Sequence, residues 1–266
     1  MDVRFLAQWH EFLPREGGHV IAVAGSGGKT SLLRQCAAVL RAADVPVVVT
    51  TTTRTEPLDW PGLELCAWEQ VAGDGAAAPF LFVRGGAHPA DKWPGISPAQ
   101  VDSLGRLLPR HVALVEADGA AKLPVKLHRD DEPVWPGRTS LALLVMGLGA
   151  LGRPVAATLH RHGRLPAPWL PDGPGATWTW DLLWQLLASP GGYRSRVPEG
   201  VPAALALTQL GRCGDSRGLF DFVARAMQEA RLPLVLLAEL EGEAAGVRTV
   251  CSARPPDSAR RREGRT

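Results

Sequence analysis

Apolar residues recur along this chain in two alternating rhythms. Short β-branched or leucine-rich runs at 20–24, 45–50, 63–66, 80–83, 112–116, 141–146, 203–208, 234–240 and 247–251 have the length of strands. Their near-continuous hydrophobicity is that of strands covered on both faces. Between several of them the apolar positions return every three to four residues, at 29–42, 98–108, 178–188 and 216–231, which is the spacing of amphipathic helices. Residues 3–13 carry the same spacing and predict a short helix closed by Pro14 and Gly17-Gly18. Strand, loop, helix and strand over 20–50 make a βαβ unit. The continued alternation predicts an α/β three-layer sandwich with a mostly parallel sheet. A Pro- and Gly-rich stretch at 163–176 predicts a long loop, within an excursion at about 153–176. The expected organisation is one domain over 1–251 followed by a tail at 252–266.

Composition narrows the class. A chain of 266 residues with 45% apolar content has the length and hydrophobicity for a full buried core. The net charge is +2, but the last fifteen residues hold Arg254, Arg260, Arg261, Arg262 and Arg265 against Asp257 and Glu263, so the remainder is slightly acidic. That balance argues against a nucleic-acid partner, and the tail reads as a solvated, disordered end. Cys36, Cys66, Cys213 and Cys251 lie far apart with no C-x-x-C pair, so zinc or iron–sulfur spacing is absent and the chain's size argues against a disulfide framework. The chain opens without a basic and apolar leader, and its apolar runs are too short to span a bilayer. The expectation is a cytoplasmic protein with no membrane partner. Of 29 basic residues only four are lysine, at 29, 92, 122 and 126. In so arginine-rich a chain, such lysines are candidates for places that need a compact ammonium.

The strongest chemical signal follows the first buried run. Gly25-Ser26-Gly27-Gly28-Lys29-Thr30 lies between a strand and a helix. Backbone N–H groups of such a loop, with the helix N-terminus behind them, surround phosphate. The usual spacing is G-x-x-x-x-G-K-[ST]; here Val23 replaces the first glycine and the loop takes the shorter form G-x-x-G-K-T. Lys29 would reach the β and γ phosphates, Thr30 would ligate Mg²⁺, and Ser31 follows at the helix start. The predicted fold is therefore P-loop NTPase-like.

Thr50-Thr51-Thr52-Thr53 ends the second buried strand, on the edge where ligands bind in parallel sheets. Thr51 and Thr52 are candidates to hold Mg²⁺, a γ-phosphate or attacking water. The run 112–115 leads into Glu116-Ala117-Asp118-Gly119-Ala120, the form of a strand whose carboxylate holds Mg²⁺. Asp118 is the candidate metal ligand and Glu116 the candidate for a metal-shell or water-orienting role, with the two roles open to exchange. Downstream, Lys122, Lys126, His128 and Arg129 would contact phosphate or clamp an anionic second substrate; a solvated charged loop is the alternative.

Taken together, Ala24-Gly25 through Thr30, Thr50–Thr53, Glu116–Ala120 and Glu132-Pro133-Val134-Trp135-Pro136 resemble the YqeC family, the selenium-dependent hydroxylase accessory proteins associated with maturation of molybdenum hydroxylases. The likeness covers most of 15–240 and includes Gly147–Gly152 with Arg153-Pro154, then His160-Arg161. It implies a P-loop fold and an accessory role beside a molybdenum hydroxylase or a molybdopterin nucleotidyltransferase. Ala121 and Leu123 depart from the expected basic character, which weakens a phosphate clamp there. Thr208-Gln209-Leu210-Gly211 stands where GTPases carry [NT]-K-x-D, and Gly211 lacks the guanine-reading carboxylate. ATP is therefore expected over GTP.

Two further patterns compete. Gly147-Leu148-Gly149-Ala150-Leu151-Gly152 matches the dinucleotide fingerprint, yet Arg153-Pro154 interrupts the helix that should follow. Trp178, Trp180 and Trp184 have helix-packing spacing. Three functions stand side by side: an ATP- and Mg²⁺-dependent NTPase or phosphoryl- or nucleotidyl-transfer enzyme, a non-catalytic nucleotide-gated chaperone for the hydroxylase, and a dinucleotide-dependent oxidoreductase.

Overall fold

The structure is a computed structural model that describes residues 3–6, 14, 16–73, 75–86, 92–119, 121–166, 169, 173–213, 216–240 and 246–252. In chain order the elements are β1 (Val3–Leu6), β2 (Val20–Gly25), α1 (Lys29–Ala42), β3 (Val47–Thr51), β4 (Arg54–Thr55), β5 (Glu64–Ala67), α2 (Trp68–Gly73), β6 (Phe80–Arg84), β7 (Trp93–Pro94), α3 (Pro98–Leu107) and β8 (Val112–Glu116). There follow β9 (Val125–Lys126), β10 (Thr139–Gly147), α4 (Val155–Thr158), β11 (Leu159–His160), α5 (Trp180–Ala188), β12 (Ala203–Thr208), α6 (Ser216–Gln228), β13 (Leu234–Glu239) and β14 (Gly246–Ser252).

Ten strands form one sheet in the order β1-β14-β13-β12-β10-β2-β8-β3-β6-β5. The eight from β13 to β5 are mutually parallel. At the other edge β14 runs antiparallel to β13, and β1 antiparallel to β14. The central strands are buried along their whole length, as β2 and β3 show at every position, which is why their sequences do not alternate polar and apolar.

Alternate residues of those strands face opposite helical layers. Ile21, Val23, Val47, Val49, Leu143 and Val145 pack with Leu32, Leu33, Cys36 and Leu40 of α1. On the opposite face Val20, Ala22, Val48 and Ala113 pack with Val101 and Leu104 of α3. Further along that face Leu144, Met146, Leu205 and Leu207 pack with Leu183 and Leu186 of α5 and Phe222 and Val223 of α6. The result is an α/β three-layer fold of P-loop-like type. Helix α3 begins with a capping box between Ser97 and Gln100 and with Pro98 in its first turn, a start signal legible in sequence. Helix α5 starts at Thr179, whose side chain accepts the Leu182 amide.

Residues 3–6 correct the expected amphipathic helix: they form β1, paired with β14 from Val3↔Ser252 to Leu6↔Thr249. An available sheet edge overrides a weak helical rhythm in so short a segment. The rest of that expected helix, 7–13, lies outside the described residues, as does the basic tail beyond Ser252. Within the excursion at 153–176, β11 pairs in parallel with β9, Leu159 opposite Val125 and His160 opposite Lys126. Among the described residues no helix is long and apolar enough to cross a membrane. Cys36 and Cys66 are free thiols, and burial pushes the Cys36 thiol up to about 12.

Candidate functional site

The parallel register brings the ends of six strands to one edge: Gly25, Thr51, Glu116, Gly147, Thr208 and Glu239 close β2, β3, β8, β10, β12 and β13. The glycine loop occupies the middle of that edge. Gly25, Gly27 and Gly28 have φ of 110°, 91° and 121°, backbone that side chains with a Cβ rarely adopt. The loop is also packed close. A Cβ on Gly25 would meet the Val145 carbonyl at 2.2 Å, and one on Gly27 the Pro124 carbonyl at 2.5 Å. Three polar groups hold the loop from below and beside: the Gly25 amide donates to Asp118 Oδ2 at 2.9 Å, the Ser26 hydroxyl donates to the Leu123 carbonyl, and the Thr208 hydroxyl donates to the Gly27 carbonyl. Helix α1 starts at Lys29 with no side-chain cap and no acidic residue in its first turn. Its first amides therefore keep their partial positive charge for whatever lies above them.

Lys29 is buried, and its ammonium donates to the Gly25 carbonyl at 2.8 Å while standing 3.0 Å from Asp118 Oδ1 and 3.5 Å from Glu116 Oε1. Burial alone would lower its pKa; Asp118 and Glu116 outweigh that and hold it above the ordinary lysine value. Glu116 has the opposite balance. Burial, with Asp118 nearby, pushes its carboxyl above the usual range despite Lys29 and a hydrogen bond from Thr30 Oγ1 to Glu116 Oε2 of 3.1 Å.

Asp118 is placed differently from the expectation that it lies with Thr30 at a metal. The carboxylate hydrogen-bonded to Thr30 is that of Glu116. Asp118 is wholly buried, and its oxygens meet Lys29, the Gly25 amide, Lys126 Nζ at 3.0 Å and His128 Nε2 at 2.8 Å. Against the burial that would raise it, Lys29, His128 and Lys126 hold this carboxyl well below the usual carboxylate range. An ionised Asp118 only accepts, so His128 Nε2 carries the hydrogen. Burial lowers the His128 pKa in spite of that bond. The imidazole lies edge-on to the Tyr193 ring at 4.7 Å, and the Tyr193 hydroxyl accepts the Lys126 amide at 3.0 Å.

Lys126 lies beneath the cleft, with its ammonium on Asp118, on Glu132 Oε2 at 3.0 Å and on the Gly119 carbonyl at 2.6 Å. Glu132 in turn takes a two-pronged contact from Arg161, Nη1 to Oε2 at 2.6 Å and Nη2 to Oε1 at 2.9 Å. Burial opposes its ionisation, but Arg161 and Lys126 hold the carboxyl down at about 2. Lys122 is exposed and paired with Glu56 at 2.9 Å. The Thr51 hydroxyl donates to the Glu116 carbonyl at 2.9 Å and the Thr52 hydroxyl to the Val134 carbonyl at 2.9 Å, so both are spent on backbone, and of the run 50–53 it is Thr53 that lines the cleft.

The cleft has a volume of about 1110 Å³. Ser26 to Ser31, Glu116, Lys122, Arg129 and Arg161 line it, the segment 53–60 forms one wall, and Arg34, Arg54, Lys92 and Gln209 are also among the lining residues. Sequence reading did not assign those last four to the site. Arg34 is hidden there as one more helix residue, and Arg54 and Lys92 come to one cleft because β4 pairs with β7. Tyr193, the one tyrosine in the chain, was also missed; a lone tyrosine after two glycines is the only signal it offers.

The dinucleotide pattern has a packing explanation. After β10 the chain makes a single 3₁₀ turn at Leu148–Ala150, and the next helix starts only at Val155. A Cβ on Gly147 or Gly149 would meet Gln209 Oε1 at 2.8 or 2.4 Å, so the Gln209 side chain covers those glycines. At Gly211 the amide donates to Glu239 Oε2 at 2.7 Å.

A parallel α/β sheet with a glycine loop and an uncapped helix at its ligand edge defines an α/β protein of P-loop-like architecture. The family profile described as YqeC protein matches residues 21–163, and the "Uncharacterized protein YqeC" of Escherichia coli (strain K12) is 31% identical over 199 residues, covering 73% of this chain and 77% of that protein. The chain belongs to the YqeC family.

Proposed function

We propose that the cleft binds Mg²⁺·ATP and that the chain is an NTPase or a phosphoryl- or nucleotidyl-transfer enzyme serving maturation of a selenium-dependent molybdenum hydroxylase or its molybdopterin cofactor. The observation that carries nucleotide binding is the meeting of Lys29, the uncapped start of α1 and the Thr30–Glu116 pair at the positive-φ glycine loop. The residues fit the group. Loop and helix amides with Lys29 form an anion cradle, and the Thr30 hydroxyl and Glu116 carboxylate are the hard oxygen donors that Mg²⁺ takes, with phosphate and water completing its shell. Glu116 thus takes the metal role expected of Asp118, and Asp118 holds the loop. When bound, Mg²⁺·ATP supplies an activated phosphoryl group. Lys29 would move from Asp118 and Glu116 to the phosphates, and Lys126 and His128 would keep Asp118 compensated. Held at the metal, the Glu116 carboxylate would also orient a water or a substrate hydroxyl beside it. ATP is favoured over GTP because Gly211 stands where a guanine-reading Asp would. The accessory role rests on the family resemblance.

A nucleotide-gated scaffold for the hydroxylase uses the same site. The observation that favours it is the run of ion pairs from Lys29 through Asp118, Lys126 and Glu132 to Arg161, which ties the loop to a remote segment. Calorimetric titration of Mg²⁺·ATP and Mg²⁺·GTP into wild type and Lys29→Ala, followed by product analysis, tests both. ATP is expected to bind and Lys29→Ala to weaken it by about 100-fold; equal binding by the two proteins would sink the phosphate-loop reading. Release of phosphate, pyrophosphate or AMP marks the enzyme, and binding without products marks the scaffold.

A further inference from the structure

Most cations around the cleft are engaged by the protein itself. Lys29 and Lys126 meet Asp118, Lys122 meets Glu56, Arg129 meets Asp131 and Arg161 meets Glu132. Three are not. Arg34, Arg54 and Lys92 are exposed, line the cleft, and have no ion pair or hydrogen bond among the described residues.

These three come from separate parts of the chain and share the wall formed by residues 53–60. Arg54 lies in β4, and Lys92 immediately precedes β7, its antiparallel partner. Arg34 lies two helical turns before Arg41, whose guanidinium donates to the Pro61 carbonyl at 3.1 Å, so the face of α1 that carries both turns toward the 53–61 segment. The free opposing charge on this wall is Asp59, exposed and without an ion pair among the described residues; Glu56 is taken by Lys122. Leu58 and Trp60, both half-buried, add apolar surface beside the cations. The cleft, at about 1110 Å³, is at the top of the roughly 300–1,000 Å³ range of small-molecule pockets, which leaves room for a ligand beyond the nucleotide.

We infer that this wall is a second subsite, for a small organic phosphate with an apolar body, filled alongside the nucleotide: Arg54 and Lys92 contact its phosphate, Arg34 reaches it from the side of the glycine loop, and Leu58 and Trp60 receive its body. Among the described residues, three unpaired cations against one unpaired carboxylate select an anion, and their place beside the phosphate loop puts that anion next to the nucleotide's own phosphates. The inference rests on the reading of the loop as a triphosphate site.

The test is a calorimetric titration of inorganic pyrophosphate into protein saturated with Mg²⁺ and the β,γ-imido analogue of ATP. It compares wild type, Arg54→Ala/Lys92→Ala and the charge-keeping Arg54→Lys/Lys92→Arg. All these positions are exposed, so the substitutions leave folding intact. Pyrophosphate is expected to bind wild type without displacing the analogue. The alanine pair should weaken it by about tenfold, the charge-keeping pair should restore most of the affinity, and the analogue's own affinity should change by less than about threefold. Failure of pyrophosphate to bind the loaded protein, displacement of the analogue, or equal binding to the alanine pair would each overturn the inference while leaving the loop reading in place. Failure of the analogue to bind wild type would remove the loop reading itself, and this subsite with it.

Discussion

At the residue scale, the two carboxylates after β8 have opposite relations to stability. Glu116 has its pKa raised, so its ionised form opposes folding above that pKa, and stability is lost as pH rises through it. Neutralising it should therefore separate function from stability. Glu116→Gln is expected to lower Mg²⁺-dependent nucleotide binding or turnover by about tenfold or more, while the urea midpoint at pH 7.5 stays level or rises. A lowered midpoint with unchanged Mg²⁺ dependence would make Glu116 structural. Asp118 is the reverse case. Its ionised form is held by Lys29, Lys126, His128 and the Gly25 amide, and removing its charge takes one of two carboxylate partners from each of two buried ammonium groups. Asp118→Asn is expected to cost about 3–5 kcal/mol in chemical denaturation; a loss under about 1 kcal/mol, the scale of an exposed pair, would refute that role.

At the scale of elements, the turn after β10 and the turn after β12 are fitted to each other. Gly149→Ala forces a Cβ against Gln209 Oε1, and overpacking of this kind destabilises by about 1–3 kcal/mol. The clash is with the far end of a flexible side chain, so Gln209→Ala in the same chain should recover most of the loss. A double-mutant cycle measures this, and strictly additive effects would show that the two turns do not act as a unit. No such rescue is expected for Gly27→Ala, whose Cβ would meet the backbone of Pro124 and Gly147 at a φ that favours glycine.

At the scale of the whole molecule, ion pairs join segments far apart in sequence: the glycine loop, the strand end at 116–118, the segment 126–132 and the turn at 161. The depressed pKa values of Asp118 and Glu132 contribute stability that is fully present above the ordinary carboxylate pKa and is lost as pH falls through the folded values. His128, also depressed, adds stability that declines as pH falls below its ordinary value of about 6.5. Urea midpoints followed from pH 7 down to pH 2 should thus fall first gently and then steeply below about pH 4.5. Glu132→Gln should flatten the lower part of that curve, since its own carboxyl titrates at about 2 in the folded chain. An unaltered slope would remove Glu132 from the network.

The chain's local chemistry was enough to specify most elements, since helix and strand periods, the Ser97–Gln100 cap and the continuous apolar strands are set by neighbours in sequence. The observed α1, β8 and β12 coincide with the runs read at 29–42, 112–116 and 203–208. The G-x-x-G-K-T loop was legible for the same reason: a strand, a glycine turn and a helix follow one another without interruption. Tertiary structure alone decided that β1 is a strand, because its partner β14 lies at the other end of the chain. It also decided which carboxylate meets Thr30, because long-range packing puts Glu116 beside the hydroxyl and Asp118 against the Gly25 amide. The cations of the cleft wall that find no partner among the described residues belong to the same category. Their charges are visible in sequence, but whether each is paired depends on what long-range packing brings within a few ångströms.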